Sequence, residues 1–468
     1  MPAGPPLTDL PIESVVDPVR DALITRGLAV LIAEPGAGKT TIVPLRLLDE
    51  PWAADGRIIV LEPRRIAARA VARRMASLLG ESVGDTVGWR TRDDRRISDR
   101  TRIEVVTEGI LTRRLQSDPT LPGVAAVIFD EFHERSVHAD LGLALALEAR
   151  DALRTDLRLL VMSATIDASA VAVLVGGADE PAPIVECEGR THPIDVRYRP
   201  RARRDRLEGA VVAAVEEALT EPGDVLVFLP GIGEIRRTVS DLERRTSAAV
   251  MPLYGALDAA EQDAALRTVP GHRRIVVATD VAQTSLTVDG IGSVVDSGLA
   301  RRPRYDPNTG LSRLTTVEHS RASADQRAGR AGRLGPGVAF RLWSKMEQAG
   351  RSSHDTAEIL QIDLAGLVLE SLAWGVEHPE QLRLLDQPSS GVVDEAFEVL
   401  AMLDAVDTER RITSTGRRIL ELPLHPRPAA MVAAMGDGPM GWPAAVLATL
   451  LSERDVIGGR PSERTVDL

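Results

Sequence analysis

The chain has 468 residues, of which 44% are hydrophobic and 26% charged, and its formal net charge is −12. This length exceeds one ordinary hydrophobic core and predicts about two to four domains of a globular protein. No apolar run is long enough to cross a bilayer, and Met1 to Leu10 lacks the basic and apolar segments of a signal peptide. The single cysteine, Cys187, excludes an internal disulfide and a multi-cysteine zinc site. We therefore expect a cytoplasmic protein without a membrane partner.

The acidic net charge does not decide whether the chain binds nucleic acid. Taken as a whole it argues against nonspecific binding, but arginines cluster locally, for example at Arg64-Arg65 and in the run 301–304. Aromatic residues are only 3% of the chain, which argues against the base-stacking platform of a single-strand-binding protein. The overall charge leaves the substrate open.

The first chemical signal along the chain is a glycine-rich turn between a predicted strand, residues 28–32, and a predicted helix. Gly36 and Gly38 allow successive N–H groups to face an anion, and the helix N-terminus adds its positive dipole end. Lys39, one of only two lysines in the chain, supplies a charge for phosphates, and the Thr40 hydroxyl supplies a Mg²⁺ ligand. A turn that binds nothing is the less favoured alternative. The predicted nucleotide-binding residues of this phosphate loop are Glu34, Pro35, Gly36, Ala37, Gly38, Lys39, Thr40 and Thr41.

Two further predicted strands deliver polar residues to a sheet edge. The strand 58–61 is followed by Arg64 and Arg65, on the rim where doubly wound sheets bind ligands, although a solvated helix start remains an alternative. The strand 157–162 ends in Ser163-Ala164-Thr165, whose hydroxyls can bond to neighbouring carboxylates.

The second chemical centre follows the buried strand 123–129, which ends in Asp130 and Glu131. This is the Walker B arrangement: Asp130 is expected to hold Mg²⁺ through water opposite Thr40, and Glu131 to act as general base toward the attacking water. In isolation the pair is also compatible with an ordinary acidic strand-end loop, but the upstream phosphate loop favours the Walker B interpretation.

A Gly/Pro-rich stretch near residues 176–183 marks a boundary, after which a second cycle of strands and helices begins. A glycine turn at residues 230–235 lacks the Lys-Thr pair and is not expected to bind a triphosphate. In the run 326–333, arginines recur every three residues, close to one face of a helix. Arg330 and Arg333 are therefore predicted to reach an anion outside their own domain, as arginine fingers do. A basic nucleic-acid patch is the alternative.

The motifs together resemble the superfamily 2 helicases of the DEAH/RHA class. The matching stretches run in that family's order over nearly the whole chain: the phosphate loop, EPRRIAAR at 62–69, TEGIL at 107–111, DEFH at 130–133, SAT at 163–165, FLPGIGEI at 228–235, PLYGAL at 252–257, TSLT at 284–287 and QRAGRAGR at 326–333. Each stretch alone is weak evidence, but the ordered set is specific.

The resemblance implies an α/β fold with two tandem RecA-like domains, residues 1–188 and 189–348. It also implies a winged-helix-like module at 349–425 and the start of a helical bundle at 426–468, with a long helix expected over Thr356–Trp374. A hairpin is expected near 305–316. Relatives continue beyond the position of Leu468, so we expect a fragment or a short member.

Further site residues come from the resemblance alone. Gln326 is expected to help place the attacking water, and His133, with Ser163 and Thr165, to couple the nucleotide site to the interdomain contacts. Asp289 corresponds to a ribose contact and Arg74 to an arginine that stacks on the base. The expected contacts with the nucleic-acid backbone are Arg64, Arg65, Thr107, Gly231 and Thr284.

Two positions depart from the family pattern, which commonly has Asn and Glu where this chain has Asp280 and Gln283. Asp280 places an extra negative charge near the nucleotide, which is expected to weaken ATP binding unless it is paired or the metal offsets it.

The predicted function is an ATP-dependent helicase or translocase that uses Mg²⁺ and acts on single-stranded RNA, with DNA left open and a monomer as default. A nucleotide-switched RNA clamp without unwinding activity is the alternative. A P-loop kinase would leave the run 326–333 unexplained.

Overall fold

The computed structural model describes residues 8–92, 94–164, 166–189, 192–202, 204–268, 271–283, 288–306, 311–333, 335–436 and 438–452. The chain forms two compact units, Met1–Arg304 with Arg313–Glu358, and Tyr305–Ser312 with Ile359–Leu468. Within the described ranges, no helix combines the length and apolar character needed to span a membrane.

The first unit contains two large sheets. The first sheet is built from β1 (Leu28–Ala33), β2 (Arg57–Leu61), β3 (Val87–Arg90), β4 (Arg95–Arg96), β5 (Ile103–Val106), β6 (Val124–Phe129), β7 (Arg158–Ser163) and β8 (Ile184–Cys187). Their order is β4-β3-β5-β2-β6-β7-β1-β8, and all neighbours are parallel except β3 and β4. The accompanying helices are α1 (Val16–Thr25), α2 (Lys39–Leu47), α3 (Arg65–Leu78), α4 (Glu108–Ser117), α5 (Val137–Ala152) and α6 (Ala168–Gly176).

The second sheet and a hairpin use the next eight strands: β9 (Ile194–Tyr198), β10 (Asp224–Phe228), β11 (Ala249–Leu253), β12 (Arg274–Ala278), β13 (Ile291–Asp296), β14 (Leu299–Asp306), β15 (Leu311–Glu318) and β16 (Gly337–Arg341). The sheet order is β11-β12-β10-β13-β16-β9, all parallel, while β14 and β15 pair with each other. The helices are α7 (Leu207–Ala218), α8 (Ile232–Glu243), α9 (Ala259–Leu266), α10 (Arg321–Gly329) and α11 (Lys345–Gly350).

The apolar character of the central strands explains this architecture. Every residue of β6, β10 and β12 is buried, as parallel strands covered by helices on both faces require. The predicted α/β fold with two RecA-like parallel sheets is therefore confirmed. Because all neighbouring strands that carry motifs are parallel, their carboxyl ends lie at one edge of each sheet, which gathers the motif residues there.

The larger segment of the second unit, Ile359–Leu468, is mainly helical in its described residues. Its helices are α12 (Ala365–Trp374), α13 (Ser390–Met402), α14 (Ser414–Glu421), α15 (Pro426–Met435) and α16 (Gly441–Ser452), and a bridge between Val406 and Ile412 closes the α13–α14 connection. The predicted helix over Thr356–Trp374 is wrong at its start. The Asp363 carboxylate accepts the N–H of Ala365 at 2.7 Å, which marks the beginning of the helix there. The proposed domain boundaries at 188, 348 and 425 stay predictions.

We call the first sheet with its helices, residues 8–187, the first lobe, and the second sheet with its helices, residues 194–350, the second lobe. The two lobes belong to the same compact unit and touch directly. Ala67 on α3 packs in one buried apolar cluster with Leu226 and Phe228 of the second sheet. Nearby, Arg73 Nη1 lies 2.7 Å from the Asp263 carboxylate of α9. The cleft between the lobes is therefore a defined feature of this unit.

Candidate active site

The glycine-rich turn after β1 has the backbone geometry of an anion cradle. Gly36 and Gly38 have φ values of 94° and 99°, which only glycine adopts without strain. A Cβ on Gly38 would lie 2.8 Å from a methyl group of Leu10, so the position is also closed sterically. Helix α2 begins at Lys39, directly after Gly38, so its unpaired N–H groups face the turn. Residues 34–41, the predicted phosphate loop, therefore have a backbone conformation that can surround an anion.

Lys39 and the acidic pair after β6 form one buried cluster. Lys39 Nζ lies 3.2 Å from Glu131 Oε2, and both side chains are about 4% exposed. Asp130 Oδ1 accepts the N–H of Glu131 at 2.8 Å. Glu131 has a left-handed φ of 50°, which turns its side chain back toward Lys39. The structure therefore brings together the residues that the sequence assigns to the phosphate and to the attacking water.

The two neighbouring carboxylates titrate differently. Burial, followed by repulsion from Glu131, raises the pKa of Asp130 to about 7. Burial also opposes the charge of Glu131, but Lys39 and then His133 outweigh it and lower its pKa. At neutral pH Glu131 is thus an ionised carboxylate, which is the form a general base requires.

The predicted Mg²⁺ ligands are compatible with that metal. Asp130 Oδ2 is buried and makes no hydrogen bond within the described residues, so it retains a lone pair for a ligand. The Thr40 hydroxyl interacts with the same carboxylate and acts to lower its pKa. Carboxylate and hydroxyl oxygens are hard donors of the kind Mg²⁺ prefers.

His133 connects this cluster to the second lobe. Gln326 Oε1 accepts from Gln283 at 3.1 Å, so Gln326 Nε2 donates to His133 Nε2, at 2.8 Å. Burial lowers the pKa of His133, whose Nδ1 lies 3.4 Å from Glu131 Oε2 and 3.5 Å from the main-chain nitrogen of Ala164. A polar chain thus runs from Glu131 through His133 to Gln326 across the cleft.

Gln283, a departure from the family pattern, is the hub of this chain in the second lobe. Its Nε2 donates to Ser323 Oγ at 2.9 Å and to Gln326 Oε1, while its Oε1 accepts from Arg327 Nε at 2.9 Å. Its main-chain oxygen accepts from Arg330 Nε at 2.9 Å. A side-chain amide can donate and accept at once, whereas a carboxylate at this position can only accept.

The arginines of the run 326–333 have different surroundings. Helix α10 ends at Gly329, so Arg330 and Arg333 follow the helix and the expected single helical face is wrong. Arg327 turns into its own lobe, where Nη1 lies 2.9 Å from Asp296 Oδ1 and the guanidinium lies over the Phe228 ring.

Arg330 and Arg333 lie on the cleft side. Burial, then the charge of Arg333, lowers the pKa of Arg330, and burial lowers the pKa of Arg333 to about 10. With this pKa, Arg333 remains charged at neutral pH. A Cβ on Gly36 would lie 3.4 Å from Arg333 Nε, so this guanidinium of the second lobe lies against the phosphate loop of the first. The pair is therefore placed to reach an anion held by the other lobe.

Asp280 is not an unpaired negative charge. Its Oδ2 lies 2.5 Å from Arg302 Nη1, and its Oδ1 lies 3.8 Å from Arg64 Nη1 of the first lobe. Burial opposes its ionisation, but Arg64 and then Arg302 lower its pKa. The Asp280 charge was expected to weaken ATP binding unless it was paired, and Arg302 and Arg64 provide that pairing.

The other predicted site residues take up varied positions. Arg64 is held by Glu134, at 3.2 Å, as well as by Asp280. Arg74 is exposed, and the exposed Asp289 has its main-chain oxygen bound by the buried Arg274. Ser163 is buried at the end of β7. Thr165 and Thr284 lie outside the described residues.

Sequence reasoning missed two buried residues of the second lobe, Arg274 and His319, which bind carboxylates there. Arg274 is fully buried, with Nε 2.6 Å from Asp224 Oδ2 and Nη1 2.8 Å from the Ala265 oxygen. His319 Nε2 lies 3.1 Å from Asp296 Oδ2, beside Arg327. The available signal for Arg274 was a charged residue at the start of an apolar strand, and no signal marked His319.

Glu108, at the start of α4, provides a test of the electrostatics near the cleft. Burial, with the nearby carboxylates of Glu134 and Glu358, raises its pKa to about 8 from the ordinary 4.5. Between pH 4.5 and about pH 8 the folded protein keeps the Glu108 proton, whereas the unfolded chain releases it. The free energy of unfolding therefore falls as the pH rises through this range, and it levels off above the pKa of the folded state. We expect Glu108→Gln to raise the Tm more at about pH 8.5 than at about pH 5. Thermal unfolding at both pH values checks this, with the exposed Glu180→Gln as control. An equal change in Tm at both pH values would contradict this prediction.

Comparison with known proteins agrees with this geometry. A DEAD/DEAH box helicase domain matches residues 18–173, and a helicase conserved C-terminal domain matches residues 210–335. The chain is 45% identical to ATP-dependent RNA helicase HrpB of Escherichia coli over 456 residues, which are 97% of this chain and 56% of that protein. It is 34% identical to E. coli ATP-dependent RNA helicase HrpA, covering 98% of this chain and 36% of HrpA.

Solved structures give the same result. A crystal structure of the E. coli DEAH/RHA helicase HrpB matches with a TM-score of 0.91 and 45% identity, covering 96% of this chain and 57% of that one. A structure titled E. coli DExH-box NTPase HrpB matches with a TM-score of 0.85 and 44% identity, covering 97% and 56%. The chain thus spans a little over half the length of HrpB. The two matched domains, the ordered motifs and this similarity show that the chain belongs to the DEAH/RHA-type helicases.

Proposed function

We propose that this chain binds and hydrolyses ATP between its two lobes and uses the cycle to move along, or remodel, single-stranded nucleic acid. The observation that carries the proposal is the meeting of both lobes at one site, where Gln326 contacts His133 and Arg333 lies against Gly36. A nucleotide in the phosphate loop would touch both lobes, so binding and hydrolysis would change how the lobes are held. The names of the relatives, ATP-dependent RNA helicases, support the same reaction and favour RNA.

The roles of the cluster follow from its contacts. Lys39 is shared between Glu131 and any phosphate in the loop, because both are anions within reach of one ammonium. Phosphate binding would draw Lys39 away and leave Glu131 to accept the proton of the attacking water. Gln326 would help to position that water, and Arg330 and Arg333 would neutralise the charge that develops on the transferred phosphoryl group.

A divalent cation completes the proposed site. Thr40 and Asp130 would hold Mg²⁺, with Asp130 acting through water, and the metal would neutralise phosphate charge and orient the outer phosphates. Arg74 and Asp289 would contact the base and the ribose.

The predicted nucleic-acid contacts share one structural feature. Arg65 begins α3, Thr107 precedes α4 and Gly231 precedes α8, each in the connection that follows the carboxyl end of a strand. Helix N-termini offer unpaired N–H groups, which suit the phosphates of a backbone and do not read sequence. We propose that a single strand follows these edges across both lobes, and that the chain acts as a monomer.

The test is ATP hydrolysis by the 468-residue chain with no polymer, with single-stranded RNA and with single-stranded DNA. We expect stimulation by a polymer, strongest with RNA, and its loss in Glu131→Gln. Hydrolysis that is indifferent to both polymers would contradict the proposal. Stimulated hydrolysis without separation of a tailed duplex or displacement of a bound protein would instead favour a nucleotide-switched clamp.

A further inference from the structure

A short segment ahead of α1, residues Leu10–Glu13, lies against the phosphate loop of the first lobe. It leads into the 3₁₀ helix Pro11–Val15, which directly precedes α1. Ile12 is fully buried and belongs to the same apolar cluster as Ala37 of the loop, and the half-buried Leu10 packs against that cluster. None of the motifs that indicate nucleotide binding includes these residues. We call Leu10–Glu13 the N-terminal segment.

The main chain of the N-terminal segment fixes one peptide group of the loop. The N–H of Ile12 donates to the main-chain oxygen of Ala37 at 3.2 Å. The peptide bond between Ala37 and Gly38 is trans, so its C=O and N–H point in opposite directions. Because the Ala37 oxygen faces Ile12, the N–H of Gly38 faces away from the segment. It can therefore join the unpaired N–H groups at the start of α2 in binding an anion.

The side chains of the N-terminal segment restrict the same glycine. A Cβ on Gly38 would lie 2.8 Å from Leu10 Cδ1 and 3.1 Å from Ile12 Cγ2, so both side chains contact the glycine closely. Glycine has the widest choice of backbone conformations, and Gly36 and Gly38 both lie in this short loop. Ordering such a loop costs conformational entropy, which contacts from outside the loop must offset. Leu10 and Ile12 provide such contacts.

The N-terminal segment is also bound to the helix that follows the loop. Glu13 Oε2 lies 3.0 Å from Arg46 Nε on α2, and Glu13 Oε1 lies 3.2 Å from Arg46 Nη2. The side chains of Arg46 and Glu13 are only 9% and 17% exposed. Such two-point contacts between a guanidinium and a carboxylate are among the stronger hydrogen-bonded pairs in proteins. One segment thus holds both the loop, at Ala37, and α2, at Arg46.

We propose that Ile12, together with Leu10, is a positioning residue that keeps the phosphate loop in its nucleotide-binding conformation. This inference rests on the proposed function and deepens it, because it names the residues that prepare the loop for ATP. A loop that adopts the binding conformation only part of the time binds with an apparent affinity reduced by that fraction. Loss of these contacts therefore weakens ATP binding but leaves the chemical step on bound ATP unchanged.

The experiment compares Ile12→Ala and Ile12→Val with the wild type in ATP hydrolysis and in binding of a fluorescent ATP analogue. Ile12→Ala should raise the KM for ATP and the dissociation constant of the analogue about tenfold, as for a loop that is competent about one-tenth of the time. The kcat at saturating ATP should stay within about twofold of the wild type, since only binding is affected. Valine keeps a methyl group in the place of Ile12 Cγ2, so Ile12→Val should restore most of the affinity.

A loss of positioning must be separated from a general loss of stability. Ile103→Ala makes the same truncation at a fully buried residue of the same apolar cluster, at the start of β5, which three strands separate from β1. It should lower the Tm as Ile12→Ala does, because both leave a cavity, but it should not change the KM for ATP. Leu10→Ala removes the other contact with Gly38 from a half-buried position and should raise the KM in the same direction as Ile12→Ala.

The outcomes are distinguishable. A wild type that neither binds nor hydrolyses ATP overturns the proposed function and this inference with it. A wild type that binds ATP, with an unchanged KM and dissociation constant in Ile12→Ala, overturns the inference alone. An equal rise in KM in Ile12→Ala and Ile103→Ala would mean a general effect of stability and would also overturn it. If Ile12→Ala does not fold, Leu10→Ala carries the test, and a wild-type KM in that variant overturns the inference.

Discussion

Replacing Glu131 by glutamine should lower ATP turnover by about 10²–10⁴-fold, the usual contribution of a general base. The carboxylate is ionised because Lys39 and His133 lower its pKa despite burial, and it faces the phosphate loop through Lys39 at 3.2 Å. Glutamine fills the same volume but cannot accept a proton. It also removes a negative charge from beside the phosphates, so nucleotide binding should be retained or slightly strengthened.

Hydrolysis and binding must be measured separately to check this. Steady-state phosphate release reports turnover, and a fluorescent ATP analogue reports affinity. Glu180→Gln, which removes an exposed carboxylate of the same lobe, is the matched control and should leave both unchanged. Glu131 is not the base if Glu131→Gln retains more than about a tenth of wild-type turnover.

The parts of the site that the sequence predicts well are those encoded by short local patterns. Lys39 follows two glycines, and Asp130 and Glu131 follow an apolar strand, so their place at the carboxyl edge of a parallel sheet follows from local rules. The alternation of strands and helices likewise predicts the two parallel sheets. These signals span fewer than about ten residues and need no knowledge of distant contacts.

The rest depends on contacts between residues far apart in the chain. The charge of Asp280 looks unfavourable in the sequence, and only the fold shows that Arg64 of the other lobe and Arg302 of a later strand compensate it. Gln283 is in the sequence only a departure from the glutamate of the family pattern, whereas in the fold its side-chain amide binds Ser323, Gln326 and Arg327. Spacing alone puts the arginines of the run 326–333 on one face, but the helix ends at Gly329 and Arg327 points inward.

The alternative of a basic nucleic-acid patch for this run leads to the second large prediction. Arg333→Ala should lower turnover by about 10³-fold or more, the range measured for arginine fingers. The guanidinium lies against Gly36 of the phosphate loop, and a pKa of about 10 keeps it charged at neutral pH. Its charge therefore acts where negative charge develops during phosphoryl transfer, and alanine removes it.

The two candidate roles of Arg333 predict opposite effects of its removal on ATP hydrolysis in the absence of nucleic acid. A finger is needed in every turnover, so Arg333→Ala should lose basal hydrolysis together with stimulated hydrolysis, with the affinity for RNA little changed. A nucleic-acid patch would leave basal hydrolysis intact and weaken RNA binding in a salt-dependent way. Arg321→Ala, which removes an exposed arginine from the start of α10, is the matched control and should leave basal hydrolysis unchanged. Basal turnover at the wild-type level in Arg333→Ala would therefore reject the finger, and its loss with RNA affinity retained would reject the patch.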